Sequence, residues 1–169
     1  MMKTLAGKMT EPLVIYGHAF DEEKFQSLSY KQFVRAVAYR EEEPLKVGPF
    51  TIQFLRTVHP VPCFAMRITD GKHVIAYTAD TEMFAKLPRF IQNCDLLIAE
   101  CSFFQDEQKA GGHLSSLDVA QLARDGNAKH VLLTHLPHFG SHARLLKEVK
   151  SSYRGEVDVA TTGWTKLFR

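Results

Sequence analysis

The sequence predicts an α/β (α+β) fold in which helices cover one face of a mixed β-sheet, and three observations predict it. An alternating, period-two pattern begins at Leu45 and continues to Thr78. From Asp80 onward, helix-like and strand-like patterns take turns. Of the 169 residues, 45% are hydrophobic and 11% aromatic, enough to fill a core without a disulfide or metal to hold it. No low-complexity tract or repeat interrupts the chain, so residues 1–169 read as a single domain.

Each element follows from local pattern. Residues 13–16 form a short apolar run closed by Gly17, a strand signal. Asp21 then opens a stretch in which Phe25, Leu28, Phe33, Val34 and Val37 recur near the helical period, which predicts one helix or two short ones over residues 21–37. Residues 50–58 alternate, residues 63–69 form a second extended run, and Asp70-Gly71 is a two-residue hairpin signal leading into residues 73–78. Together these predict an antiparallel meander. Phe84, Leu87, Phe90 and Ile91 mark a helix bent or restarted near Pro88, and residues 95–100 form an apolar strand rich in Leu and Ile. Ser116 is expected to cap a helix carrying Leu117, Val119, Ala120, Leu122 and Ala123, with Gly126 at its end. Residues 131–134 read as a buried strand, and a helix starting near Ser141 places Leu145, Leu146 and Val149 on one face. Two further strands are expected, over residues 157–160 and 164–168. A meander followed by βαβ-like units makes a mixed sheet.

Charge and cysteine usage narrow the function classes. Lys and Arg number 21 against 19 Asp and Glu, a net charge of +2. That balance carries no nucleic-acid footprint, and a nucleic-acid-binding module would need a basic stripe that the sequence lacks. Cys63, Cys94 and Cys101 form no CxxC pair and lie in or beside apolar runs, as buried thiols in a reducing compartment do. The opening residues contain no signal-peptide-like run, and no apolar stretch reaches the about 18 residues a membrane span needs. A cytoplasmic protein is expected.

The informative residues end the apolar strands. Val58-His59-Pro60, Tyr77-Thr78-Ala79-Asp80-Thr81, Ala99-Glu100-Cys101 and Thr134-His135-Leu136 each set a His, Asp or Glu where a strand gives way to a loop. Loops at the ends of neighbouring strands converge on a common site, and imidazole with carboxylate is the donor set that zinc and similar ions prefer. Singly, each has an ordinary explanation as a cap or turn residue. Gly111-Gly112-His113-Leu114-Ser115 adds a glycine-flanked histidine just before a helix, a position suited to an anionic ligand.

In this order, those motifs together with Leu96-Leu97-Ile98-Ala99-Glu100-Cys101-Ser102-Phe103 resemble the later motifs of the metallo-β-lactamase superfamily, in its ribonuclease Z-like and cyclic-phosphodiesterase-like branch. The resemblance implies a metallo-β-lactamase-like αββα sandwich. It also implies that His59 binds a first metal, that Asp80 bridges two, and that His135 binds the second. His113 would contact the scissile phosphate and stabilise or protonate the leaving oxygen, with Glu100 as its orienting partner. Two divalent ions, zinc or alternatively manganese, would polarise the phosphoryl group. Homodimers are expected by family analogy.

Two departures qualify the resemblance. The superfamily's His-x-His-x-Asp-His motif is absent from these 169 residues, so the chain resembles only the later part of the fold, an incomplete sandwich. Asp80 follows His59 by 21 positions filled by the predicted hairpin, where transfer-RNA-processing members carry a long substrate-grasping arm. This argues against transfer RNA and for a small phosphodiester or ester. The expected function is therefore a metal-dependent hydrolase, a phosphodiesterase in the intact protein. The alternative is a non-catalytic domain of the same ancestry without a working metal site.

Overall fold

A computed structural model describes residues 11–107 and 111–168. The expectation drawn from the opening residues lies outside the described residues. The chain divides into two compact units, Met1–Leu45 and Lys46–Arg169.

The first unit is a small βαβ element. β1 (Leu13–Gly17) and β2 (Val34–Ala38) pair in parallel, with Leu13 opposite Val34 and Gly17 opposite Ala38. Between them lies α1 (Glu22–Ser27), capped by the Asp21 carboxylate, which accepts the Lys24 N–H at 3.1 Å. The helix expected over residues 21–37 therefore stops early. Leu28 ends it, a turn closed by Tyr30 and Val34 follows, and the second half becomes a strand. Val34 and Val37 are β-branched residues that favour a pleated surface, and pairing with β1 outweighs a periodicity that fitted either reading.

The second unit is a seven-stranded sheet of order β3-β4-β5-β6-β7-β8-β9. β3 (Leu45–Val47) starts at the boundary between the units. β4 (Phe50–Arg56), β5 (Phe64–Thr69) and β6 (Val74–Tyr77) form the expected antiparallel meander. At the β5–β6 turn the Asp70 carboxylate accepts the backbone N–H groups of His73 at 2.6 Å and Lys72 at 2.9 Å. Those two bonds, His73 first, hold its pKa down to about 2.

β7 (Leu96–Glu100), β8 (His130–Thr134) and β9 (Glu156–Val159) then continue the sheet in parallel with β6. The crossovers are helical, as parallel pairing demands. They use α2 (Leu87–Phe90), with Pro88 in its first turn, α3 (Ser116–Asp125) and α4 (His142–Ser152). Period two along the strands turns Leu55, Ala65, Ala76, Leu97, Ala99, Val131 and Leu133 into one core with Leu87, Ile91, Val119, Leu122, Leu145 and Val149 from the helices. Each fully buried Leu, Ile or Val contributes about 1.5–3 kcal/mol.

Two boundaries differ from the sequence reading. The N-cap of α3 is Ser115, one residue earlier than expected. Its hydroxyl accepts the Asp118 N–H, and the Asp118 carboxylate accepts the Ser115 N–H at 2.8 Å, a reciprocal capping box. Ser116 is the first helical residue, and its hydroxyl instead donates to the buried Glu148 carboxylate on α4. The expected terminal strand over residues 164–168 is absent. That segment follows Gly163, whose φ of +82° turns the chain, and it is tied by side chains. Trp164 Nε1 donates to Asp158, and Lys166 Nζ donates to Glu156 and to His130 Nδ1.

Candidate metal centre

The carboxyl ends of β6, β7 and β8 bring three of the sequence-predicted residues to one place. β6 ends at Tyr77; Thr78 continues its pairing by donating to the Ile98 carbonyl, and Ala79 then takes a left-handed φ of 51° before Asp80. His135, directly after β8, has a φ of 47°. Left-handed backbone at a residue other than glycine costs free energy and clusters where function fixes geometry. The Thr57 hydroxyl donates to the Asp80 carbonyl at 2.9 Å and anchors that loop from the far side.

Glu100 ends β7 and is only 1% exposed. Its carboxylate is surrounded by donors. Oε1 accepts the Thr81 N–H at 2.7 Å, both oxygens face His113 Nδ1, at 3.0 and 3.2 Å, and Oε2 accepts the Ser102 hydroxyl at 2.8 Å. A carboxylate only accepts, so His113 carries a proton on Nδ1, and the neutral form of the ring has its lone pair on Nε2. Burial without such partners would cost several kcal/mol, about 1–3 for each unmade bond.

His113 comes from the loop before α3, and Gly112 sets its place. With φ at +93°, Gly112 lies so close to the preceding loop that a Cβ would stand 2.8 Å from Pro60 Cδ and 3.0 Å from His59 Cδ2. This approach brings the His59 ring edge-on to His113, centroids 5.1 Å apart. His113 also stacks on His135, with ring centroids 5.2 Å apart.

One donor atom from each of Asp80, His113 and His135 lies within 4.8 Å of the other two. His135 Nε2 and Asp80 Oδ2 are 3.8 Å apart. His59 flanks this set: its Nδ1 faces the Val61 carbonyl at 3.2 Å and Cys63 Sγ at 3.5 Å. The charge of the site agrees with its geometry. Burial first, then the Asp80 and Glu100 carboxylates, push the Cys63 thiol and the Tyr77 phenol up from their ordinary pKa values. Negative potential and converging nitrogen and oxygen lone pairs fit a divalent cation held by Asp80, His113 and His135. Sequence reasoning assigned no role to Ser102 or Gly112. Glu-x-Ser at a strand end, which puts both side chains on one face, was the available signal for the first.

A family model described as the Beta-lactamase superfamily domain matches residues 12–136. This chain belongs to the beta-lactamase superfamily. Within that superfamily it is 48% identical, over 159 residues, to the probable metallo-hydrolase YhfI of Bacillus subtilis (strain 168), a match covering 94% of this chain and 65% of the relative. The crystal structure of the metallo-beta-lactamase fold protein YhfI from Bacillus subtilis superposes with a TM-score of 0.93 at 46% identity, covering 96% of this chain and 67% of that one. This superfamily chain therefore has the metallo-β-lactamase fold. It is also 31% identical over 122 residues to ribonuclease Z of Myxococcus xanthus (strain DK1622), a match covering 69% of this chain and 39% of the relative. The chain spans about two thirds of the length of YhfI and about two fifths of that ribonuclease Z.

Proposed function

We propose that this protein is a metal-dependent hydrolase acting on a small phosphodiester or related ester. The observation that carries the reading is the convergence of Asp80, His113 and His135 to within 4.8 Å, with Glu100 buried behind them. Similarity to a probable metallo-hydrolase and to a ribonuclease supports the reaction class. When bound, a divalent cation, zinc or alternatively manganese, supplies Lewis-acid polarisation of the ester oxygen and lowers the pKa of water. A dinuclear site would be held by Asp80 together with His135, and His59 would add a ligand on its own flank.

The remaining work falls to the chain's own residues. Glu100 fixes the His113 ring with its Nε2 turned away from the carboxylate; where that atom is not itself engaged by a cation, it would take up a proton and pass it to the leaving oxygen. Arrangement at three strand ends holds these groups in place before substrate arrives, which is where such sites gain most of their advantage. The tight turn at Asp70-Gly71, in place of any long arm between His59 and Asp80, favours a small substrate over transfer RNA. Among the described residues no helix is long and apolar enough to cross a membrane. All three cysteines are free, which suits the reducing cytoplasm.

Elemental analysis and hydrolysis of bis-p-nitrophenyl phosphate test the reading. The protein should carry zinc or manganese and turn the diester over, and Asp80→Ala should lower turnover at least about 100-fold with loss of bound metal. Full metal occupancy in Asp80→Ala overturns the site. A chain that binds no metal and shows no turnover is the non-catalytic domain of the alternative reading.

A further inference from the structure

We propose that Ser102 is a positioning residue that sets the tautomer of His135, so that one buried carboxylate, Glu100, orients both metal-facing histidines. This inference rests on the metal-centre reading above. Glu100 reaches His113 directly, at 3.0 Å. It reaches His135 through Ser102, whose hydroxyl oxygen lies 2.8 Å from Glu100 Oε2 and 2.7 Å from His135 Nδ1.

The direction of that relay follows from counting protons. A serine hydroxyl has one hydrogen to give, and a carboxylate has none. The hydrogen therefore goes to Glu100 Oε2, a charge-assisted bond shorter than the competing 3.2 Å contact with the His135 carbonyl. Ser102 Oγ is left as an acceptor, and His135 Nδ1 must carry a hydrogen to donate to it. In a neutral ring this leaves a lone pair on Nε2, 3.8 Å from Asp80 Oδ2. Two lone pairs then share the same space, an arrangement a cation relieves.

The alternative tautomer has an obvious attraction of its own. With a proton on Nε2, His135 would be directed at the Asp80 carboxylate and closed to a metal. Ser102 decides against it, as outer hydrogen bonds to ligating histidines generally do. His135 itself is half exposed and stands on left-handed backbone. Packing therefore constrains its ring less than it constrains a buried side chain, and the hydroxyl does so instead.

Two readouts on the full chain test this. In the metal-free protein, nitrogen-15 NMR of the His135 imidazole should show a protonated Nδ1 and an unprotonated Nε2 in the wild type. Ser102→Ala should invert or mix that pattern and weaken zinc affinity about 10–100-fold, the usual cost of losing such a partner. Ser102→Thr, which keeps the hydroxyl, should restore both. An unchanged tautomer in Ser102→Ala overturns the inference, and so does a loss of zinc affinity that Ser102→Thr fails to rescue. If the wild type binds no zinc, the metal-centre reading fails, while the tautomer measurement still decides the role of Ser102.

Discussion

At position 112 a side chain has nowhere to go. A Cβ there would press on Pro60 and His59, and the φ of +93° is one that L-residues rarely adopt. Gly112→Ala should therefore destabilise the protein by about 1–3 kcal/mol in urea unfolding and displace the His59 ring in its proton NMR spectrum. A change at Glu100 should act differently. Glu100→Gln keeps the shape but presents an N–H to a cluster of donors, so zinc affinity should fall about 10–100-fold in a calorimetric titration. The meeting of Glu100, Asp80, His113 and His135 was legible because each follows an apolar strand or a glycine pair, and strand ends converge. His59 is expected from its motif as a metal ligand, yet its flanking place, with Nδ1 against Val61 and Cys63, depends on a loop path that spacing does not encode. The role of Ser102 was hidden for the same reason, since His135 is 33 residues away in the chain.

Among the elements, α3 shows how two adjacent residues of one type divide between two tasks. Ser115 caps the helix, while Ser116 reaches across to Glu148 on α4, which also accepts from Arg144 Nε at 2.7 Å and from the Gln105 N–H at 3.1 Å. Ser115→Ala should lower stability by about 1 kcal/mol in thermal or urea unfolding through loss of the cap. The capping pattern was present in the sequence as Ser115 followed by Asp118 three residues later, a box that decides between the two serines. The strands β4 to β8 were legible to within a residue or two because alternation and a hairpin signal agree there. β2 was not, because Phe33, Val34 and Val37 satisfy a helical period as well as a strand pairing. The segment after Gly163 was not legible either. Its apolar residues invite a strand, whereas the bonds that hold it run from Trp164 and Lys166 side chains to the edge of β9.

For the molecule as a whole, stability should depend on pH at both ends of the scale. Burial pushes the Cys94 and Cys101 thiols and the Tyr153 phenol up to about 12. The unfolded chain loses these protons first, from about pH 9 for the thiols and 10 for the phenol. Their contribution is thus complete below about pH 9 and is lost as pH rises towards 12. Urea unfolding at about pH 7, 9 and 10.5 should show this decline, and Cys94→Ala with Cys101→Ala should flatten it. The acid limb has the opposite sign. With its pKa held near 2, Asp70 stabilises the fold above the ordinary carboxylate value of 3.8, and that contribution disappears as pH falls through 2. The general architecture was legible from periodicity and composition, while the change of pattern at Leu45 was not enough to mark a division there.

One feature of the sheet reaches beyond the site it supports. Asp80 and His135 follow strands that are not neighbours; β7 runs between them, and its last residue, Glu100, stands opposite Thr134. Side chains alternate faces along a strand, so a slip of β7 by one residue would exchange Glu100 for Ala99 or Cys101 and send the carboxylate to the other side. Such an error removes the carboxylate that orients His113. Metal affinity is consequently a sensitive reporter of correct strand register, able to distinguish a properly threaded sheet from a compact misfold of the same helix and strand content.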